Sequence, residues 1–212
     1  MSVRNHLSSA ALLALALGAC GPTGGAAFSG EDLYDACENC HGADGAGAPE
    51  LKAPAIAGMA AWYVEGQLKK FRSGARGAHP DDDPGMRMRP MSKSMPNDEA
   101  VAAVAQYVSR LPKQPSVSTL EGADAKRGAS YYATCIACHG ASAEGMRALN
   151  APALSGANDW YLLTQIRNFK TGLRGADPMS DPTGSQMRAM ALTLPSDQAA
   201  KDVVAYISTL SR

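Results

Sequence analysis

The chain has 212 residues, with 20 Lys plus Arg balanced by 20 Asp plus Glu, so it offers no basic stripe for a nucleic acid and little net field to steer a partner. That length suits two small domains rather than one large one. Only 6% of the residues are aromatic, so each half lacks the bulky side chains of an ordinary core and must find apolar area elsewhere.

The N-terminus combines a basic Arg4, an apolar run from Ala10 to Leu17, and the small residues Gly18 and Ala19. This is the pattern of an export signal, and the run is too short to cross a bilayer as a helix. Leu17-Gly18-Ala19-Cys20 resembles a bacterial lipobox, in which the Cys is acylated and becomes the new N-terminus. Residues 1–19 are therefore expected to be a signal peptide and residues 20–27 a lipidated tether, with lipidation at Cys20. The protein would sit on the periplasmic side of a bacterial membrane, or be soluble in the periplasm if ordinary cleavage leaves Cys20 idle. Loss of residues 1–19 leaves 19 basic against 20 acidic side chains, still near neutrality.

The N-terminal domain is expected over residues 28–111. Ser29 can cap a helix with Asp32 three residues on, and Leu33, Cys37 and Cys40 then share one face at i, i+4 and i+7. The run Cys37-Glu38-Asn39-Cys40-His41 is the C-x-x-C-H attachment signature of c-type haem. Two thiols at that spacing reach the two vinyl groups on one porphyrin edge, and the following imidazole turns onto the iron. A zinc knuckle or a redox C-x-x-C would leave the trailing His unexplained, and neither the ligand spacing nor a βαβ setting is found.

Gly42 to Gly47 form a turn-rich loop leading to Pro54. A second helix runs from Ala61 to about Ser73 on a stripe of Val64, Leu68 and Phe71, and Gly74 stops it. Ala75 to Met95 reads as a loop with the three consecutive acids Asp81 to Asp83, a solvated turn, and with Met86, Met88, Met91 and Met95, any of which could meet an iron. His79 reads as a surface residue. Asn97 can cap a last helix carrying Val101, Val104, Val108 and Leu111, which Pro112 ends. Residues 112–122, rich in Pro and Ser, read as an interdomain linker.

Residues 123–212 repeat this order as a C-terminal domain. Cys135-Ile136-Ala137-Cys138-His139 lies 98 residues after the first motif, and Gly30, Tyr34, Pro54, Gly58, Trp62, Tyr63, Gln67, Phe71, Gly74, Arg76 and Gly77 all have identical partners at that offset. Within the Met segment the offset becomes 99, pairing Met88 with Met187 and Met91 with Met190. A duplication accounts for this, with one haem per half required for folding. Trp62, Tyr63, Trp160 and Tyr161 either aim a polar tip at a haem carboxylate or form apolar walls. Arg76 and Arg174 either neutralise such carboxylates or stay solvated.

Two C-x-x-C-H motifs one domain apart, each followed by a Pro-x-Ile/Leu-x-Gly stretch, a Trp-Tyr helix and a Met segment, make the chain from Phe28 onward resemble the cytochrome c4 family, tandem dihaem class I c-type cytochromes. The resemblance implies an all-α fold of two cytochrome c domains related by a pseudo-twofold axis, with two covalently bound haem c groups. It implies that His41 and His139 are proximal ligands, that the carbonyls of Pro54 and Pro152 accept from their rings, and that family spacing selects Met88 and Met187 as distal ligands over Met91 and Met190. Met86 and Met95 would then be packing residues. Closed His/Met sites imply an electron carrier rather than an enzyme, working between a quinol-oxidising bc complex and a terminal oxidase or reductase. The alternative is a dedicated dihaem subunit of a larger oxidoreductase, for example one that oxidises a sulfur compound or an alcohol.

Overall fold

The structure, a computed structural model, describes Met1 and residues 28–210; Cys20 and the expected signal and tether lie outside the described residues. Four helices form the first half: α1 Gly30–His41, α2 Ala61–Ser73, α3 Asp83–Lys93 and α4 Asp98–Arg110. The second half contains α5 Ala125–Tyr132, α6 Ile136–His139, α7 Asp159–Thr171, α8 Pro182–Leu192 and α9 Asp197–Thr209. No strand occurs among the described residues, and no helix there is long and apolar enough to cross a membrane.

Local chemistry fixes most helix ends. Ser29 Oγ accepts from Asp32 N at 3.3 Å, with Glu31 and Asp32 facing the positive end of the α1 dipole. Asn97 Oδ1 accepts from Ala100 N at 2.9 Å and opens α4. α1 packs on α4, and α4 on α2, burying Tyr34, Val101, Val104 and Val108. α5 and α7 pack on α9 around Tyr132, Leu163, Phe169, Val203 and Val204. The first and last helices of each half touch backbone to backbone. A Cβ on Gly30 would meet Ala103 O at 2.3 Å, so only Gly lets α1 cross α4 this closely.

Two expectations need correction. The segment Ala75 to Met95 is not a continuous loop, because it holds α3. Its start is specified by cap chemistry: Asp82 accepts from Gly85 N at 3.1 Å and Pro84 occupies the first turn, where its missing N–H costs nothing. The helix lacks a clear apolar stripe and carries Pro90 inside it, which hides it from a periodicity reading. For the same reason Asp82 is buried at 6% exposure rather than part of a solvated turn, although Asp81 and Asp83 are exposed.

The second half also departs from strict repetition. Where α1 is continuous, α5 stops at Tyr132 and α6 starts at Ile136. Thr134 Oγ1 donates to the Tyr131 carbonyl at 3.1 Å, giving the backbone a local alternative to helix in the intervening turn. The segment 112–122 carries no helix or strand and is held along the C-terminal half. Its Thr119 Oγ1 donates to Asp159 Oδ1 at 2.7 Å, Leu120 N to Asp159 Oδ2 at 3.1 Å, and Ser116 Oγ to the Ala157 carbonyl at 3.0 Å. Burial would raise the Asp159 carboxyl, but these donors outweigh it and hold the group below the usual range.

Candidate haem sites and the interface between them

His41 ends α1 and His139 ends α6, each followed by a Gly at positive φ, 78° for Gly42 and 79° for Gly140. Both imidazoles are buried, at 6% and 7% exposure. His41 Nδ1 lies 2.8 Å from the Pro54 carbonyl oxygen, and His139 Nδ1 lies 2.8 Å from that of Pro152. A carbonyl can only accept, so Nδ1 carries the proton and Nε2 presents a lone pair. Burial lowers both ring pKa values, though the carbonyl bond opposes it, which favours the neutral imidazole a metal needs.

The loop between His and Pro is held in three ways. Tyr34 OH donates to the Gly42 carbonyl at 2.7 Å and Tyr132 OH to that of Gly140 at 2.7 Å, so a buried phenol pins the residue after each His. Gly47 N donates to the His41 carbonyl at 2.8 Å. A Cβ on Gly47, which has φ 82°, would meet Ala55 N and Pro54 C at 2.5 Å, so any side chain there would push the Pro54 carbonyl off the ring. The tyrosine anchors were not assigned a role from sequence, and their one signal was recurrence at an offset of 98.

Cys37 and Cys135 are half-buried, Cys40 and Cys138 exposed, and all four are free of disulfides. Burial pushes the Cys37 thiol up to about 11 and raises Cys135. No group of three or more His, Cys, Asp or Glu side chains able to hold a metal ion occurs among the described residues.

Met88 lies on α3 and Met187 on α8, both half-buried, and Met187 packs against the C-terminal core. Met91 and Met190, one turn further on, are each 39% exposed. Met95 and its counterpart Leu194 are buried at 7%, as packing residues should be, whereas Met86 is 40% exposed and packs in no core.

The polar residues near these sites divide unexpectedly. Trp160 Nε1 is buried without a protein acceptor, while Arg147 lies 4.6 Å over the ring of Trp62. Arg76 and Arg174 are not solvated; they meet at the domain interface at 8% and 6% exposure. Arg76 donates to Gln67 and Gln165 at 3.0 Å each, and Arg174 donates to the same two amide oxygens at 2.8 Å each. This reciprocal ring of equivalent residues is the signature of a pseudo-twofold axis between the halves.

The symmetry is incomplete. Arg76 also donates to Tyr161 OH at 2.9 Å, and although burial pushes that phenol up, the Arg76 and Arg174 charges hold it below its ordinary value. Lys70 Nζ reaches across to buried Asp181 at 2.6 Å and to Thr183 Oγ1 at 2.6 Å. Asn168 occupies the equivalent position, 98 residues later, so the second half has no such cation.

Comparison with known proteins agrees with this architecture. The family described as Cytochrome c matches the chain twice, over residues 27–112 and 125–211. The thiosulfate dehydrogenase electron acceptor of Stutzerimonas stutzeri (strain A1501) is 31% identical over 188 residues, covering 84% of this chain and 80% of that protein. Reduced recombinant cytochrome c4 from Pseudomonas stutzeri superposes with a TM-score of 0.67 at 25% identity, over 84% of this chain and 95% of its own. The thiosulfate dehydrogenase TsdBA of Marichromatium purpuratum gives a TM-score of 0.68 at 29% identity, over 85% of this chain and 39% of that one.

Proposed function

Because the chain belongs to the cytochrome c family, carrying its domain twice and two covalently bound haem c groups, we propose that it is a carrier of single electrons on the periplasmic side of a bacterial membrane. It takes them from a quinol-oxidising bc complex and delivers them to a terminal oxidase or another acceptor. In this reading Cys37 and Cys40 hold one haem by thioether bonds, and Cys135 and Cys138 the other. His41 and His139 are the proximal ligands, Met88 and Met187 the distal ones. The Leu17-to-Cys20 lipobox supports acylation at Cys20 and a membrane anchor.

The donor chemistry fits such a group. Each His commits Nδ1 to a carbonyl and keeps Nε2 for iron, and the buried, unpartnered Trp160 N–H suits a haem carboxylate. When bound, haem c supplies a one-electron couple whose potential the axial residues set. The chain's own part is to hold the group covalently, fix the imidazole plane through Pro54 and Pro152, and fill the distal side with a thioether. A site closed on both sides leaves no position for a substrate, which supports a carrier over an enzyme. The observation that carries this reading is the duplicated His-to-Pro geometry, 2.8 Å in both halves.

A second reading is a dedicated acceptor subunit of a dehydrogenase, favoured by the relative whose own name is thiosulfate dehydrogenase electron acceptor. Purification in mild detergent separates the two. The carrier should emerge alone, be reduced by a quinol-oxidising membrane fraction and be reoxidised by an oxidase over many turnovers. A dehydrogenase that co-purifies in fixed stoichiometry and reduces the protein within the complex would replace the carrier reading with the subunit reading.

A further inference from the structure

Asn158 stands at the N-cap of α7, where an Asn side chain ordinarily accepts from the helix's own first amides. It makes no such bond. Its Oδ1 accepts instead from the Ala55 N–H of the other domain, at 2.7 Å. That N–H belongs to the Pro54–Ala55 peptide, whose carbonyl accepts from His41 Nδ1 at 2.8 Å. A peptide unit is a single resonance-coupled plane, so a hydrogen bond donated by its N–H moves negative charge onto its oxygen and strengthens what that oxygen accepts. One line of polarised groups therefore runs from α7 of the C-terminal domain to the N-terminal histidine.

The other half has no such line. Ala60 occupies the position equivalent to Asn158, 98 residues earlier, and has no side-chain acceptor. Ala153 N, on the far side of the Pro152 carbonyl, finds no acceptor across the interface among the described residues. Ala60, Tyr63, Pro152 and Ala153 border instead a cleft of about 60 Å³ between the domains.

We propose that Asn158 is a positioning residue through which the C-terminal domain tunes the N-terminal haem alone. By drawing on the Pro54–Ala55 peptide it strengthens the Nδ1–H···O bond and makes the His41 ring a stronger electron donor. The oxidised state is favoured and the potential falls, as expected of a partner that raises ligand basicity. The proposal rests on His41 being the ligand. It gives otherwise similar iron sites different potentials and ties one of them to domain docking.

Redox titration of the dihaem protein, read from its optical spectrum, tests this. His41→Met identifies the N-terminal wave as the one it displaces. Asn158→Ala should raise that wave and leave the other in place, shifting the electron distribution toward the N-terminal haem at least threefold, about 28 mV for a one-electron couple. Asn158→Asp keeps an acceptor and strengthens it, so it should move the same wave the opposite way. Opposite shifts confined to one haem cannot come from loosened packing. Both waves moving together, both variants shifting the same way, or no movement would overturn the proposal. If His41→Met leaves both waves in place, the ligand reading falls first and the proposal with it.

Discussion

At the scale of single residues the open choice is between methionines one helical turn apart. Met88 and Met187 are half-buried on α3 and α8, whereas Met91 and Met190 lie toward solvent. Met88→His and Met187→His should each produce a six-coordinate haem whose potential falls by about 100 mV or more, because imidazole replaces the thioether that favours the ferrous state. Only one haem should respond in each variant, and Met91→Leu or Met190→Leu should leave both potentials nearly unchanged. Potentiometry with optical detection decides it. Loss of the Met-ligated spectrum in the Met91 and Met190 variants, with Met88 and Met187 variants keeping it, would move the ligand register by three residues.

At the scale of elements the two first-to-last helix contacts are built alike but locked differently. α5 crosses α9 as α1 crosses α4, yet only the C-terminal pair carries an ionic clamp. Asp202 on α9 is fully buried and paired with Arg127, and it accepts from Asp124 N at 2.8 Å and Gln198 Nε2 at 2.9 Å. Its counterpart, 99 residues earlier, is Ala103. The Arg127 bond outweighs burial and holds the Asp202 carboxyl at about 2. The folded pKa lies below the ordinary value of about 3.9, so the stabilisation is present above that pH and disappears as pH falls through the folded value. Asp202→Asn should therefore destabilise the C-terminal domain by about 1–3 kcal/mol near neutrality, with the gap closing toward pH 2. Denaturant melts across that range test it, and a gap that widens in acid would refute the clamp.

At the scale of the whole molecule the duplicated halves are not equally self-supporting. Among the described residues the C-terminal half buries fourteen apolar residues and the N-terminal half ten. At roughly 1.5–3 kcal/mol for each large aliphatic side chain buried, that difference leaves the first half the weaker. The haem requirement expected of both halves should thus be more severe in the first. Native-state hydrogen exchange on the dihaem protein should find α4 opening at a lower free energy than α9, with the linker amides that bind Asp159 following α9. Equal protection of α4 and α9 would show that the first half draws its stability from elsewhere.

Much of this was legible without a fold. Helices α1, α2 and α4 could be bounded from Ser29, Gly74, Asn97 and Pro112, because caps and stops are chemistry between neighbours in sequence. The Cys-His motifs and their repetition at 98 residues announced two haem domains for the same reason. Helix α3 was missed because capping by Asp82, rather than an apolar stripe, specifies it. The Pro54 and Pro152 bonds came from family likeness, and the structure supplied their distances. What only the tertiary structure decided lies across the interface: the Arg76–Gln67–Arg174–Gln165 ring, the reach of Lys70 to Asp181, and the turning of Asn158 from its own helix to Ala55. The bonds that cross the interface join residues about 90–110 positions apart, through side chains whose local sequence would equally allow them to face solvent. Their partners are therefore set by how the two halves dock, which no short-range pattern encodes.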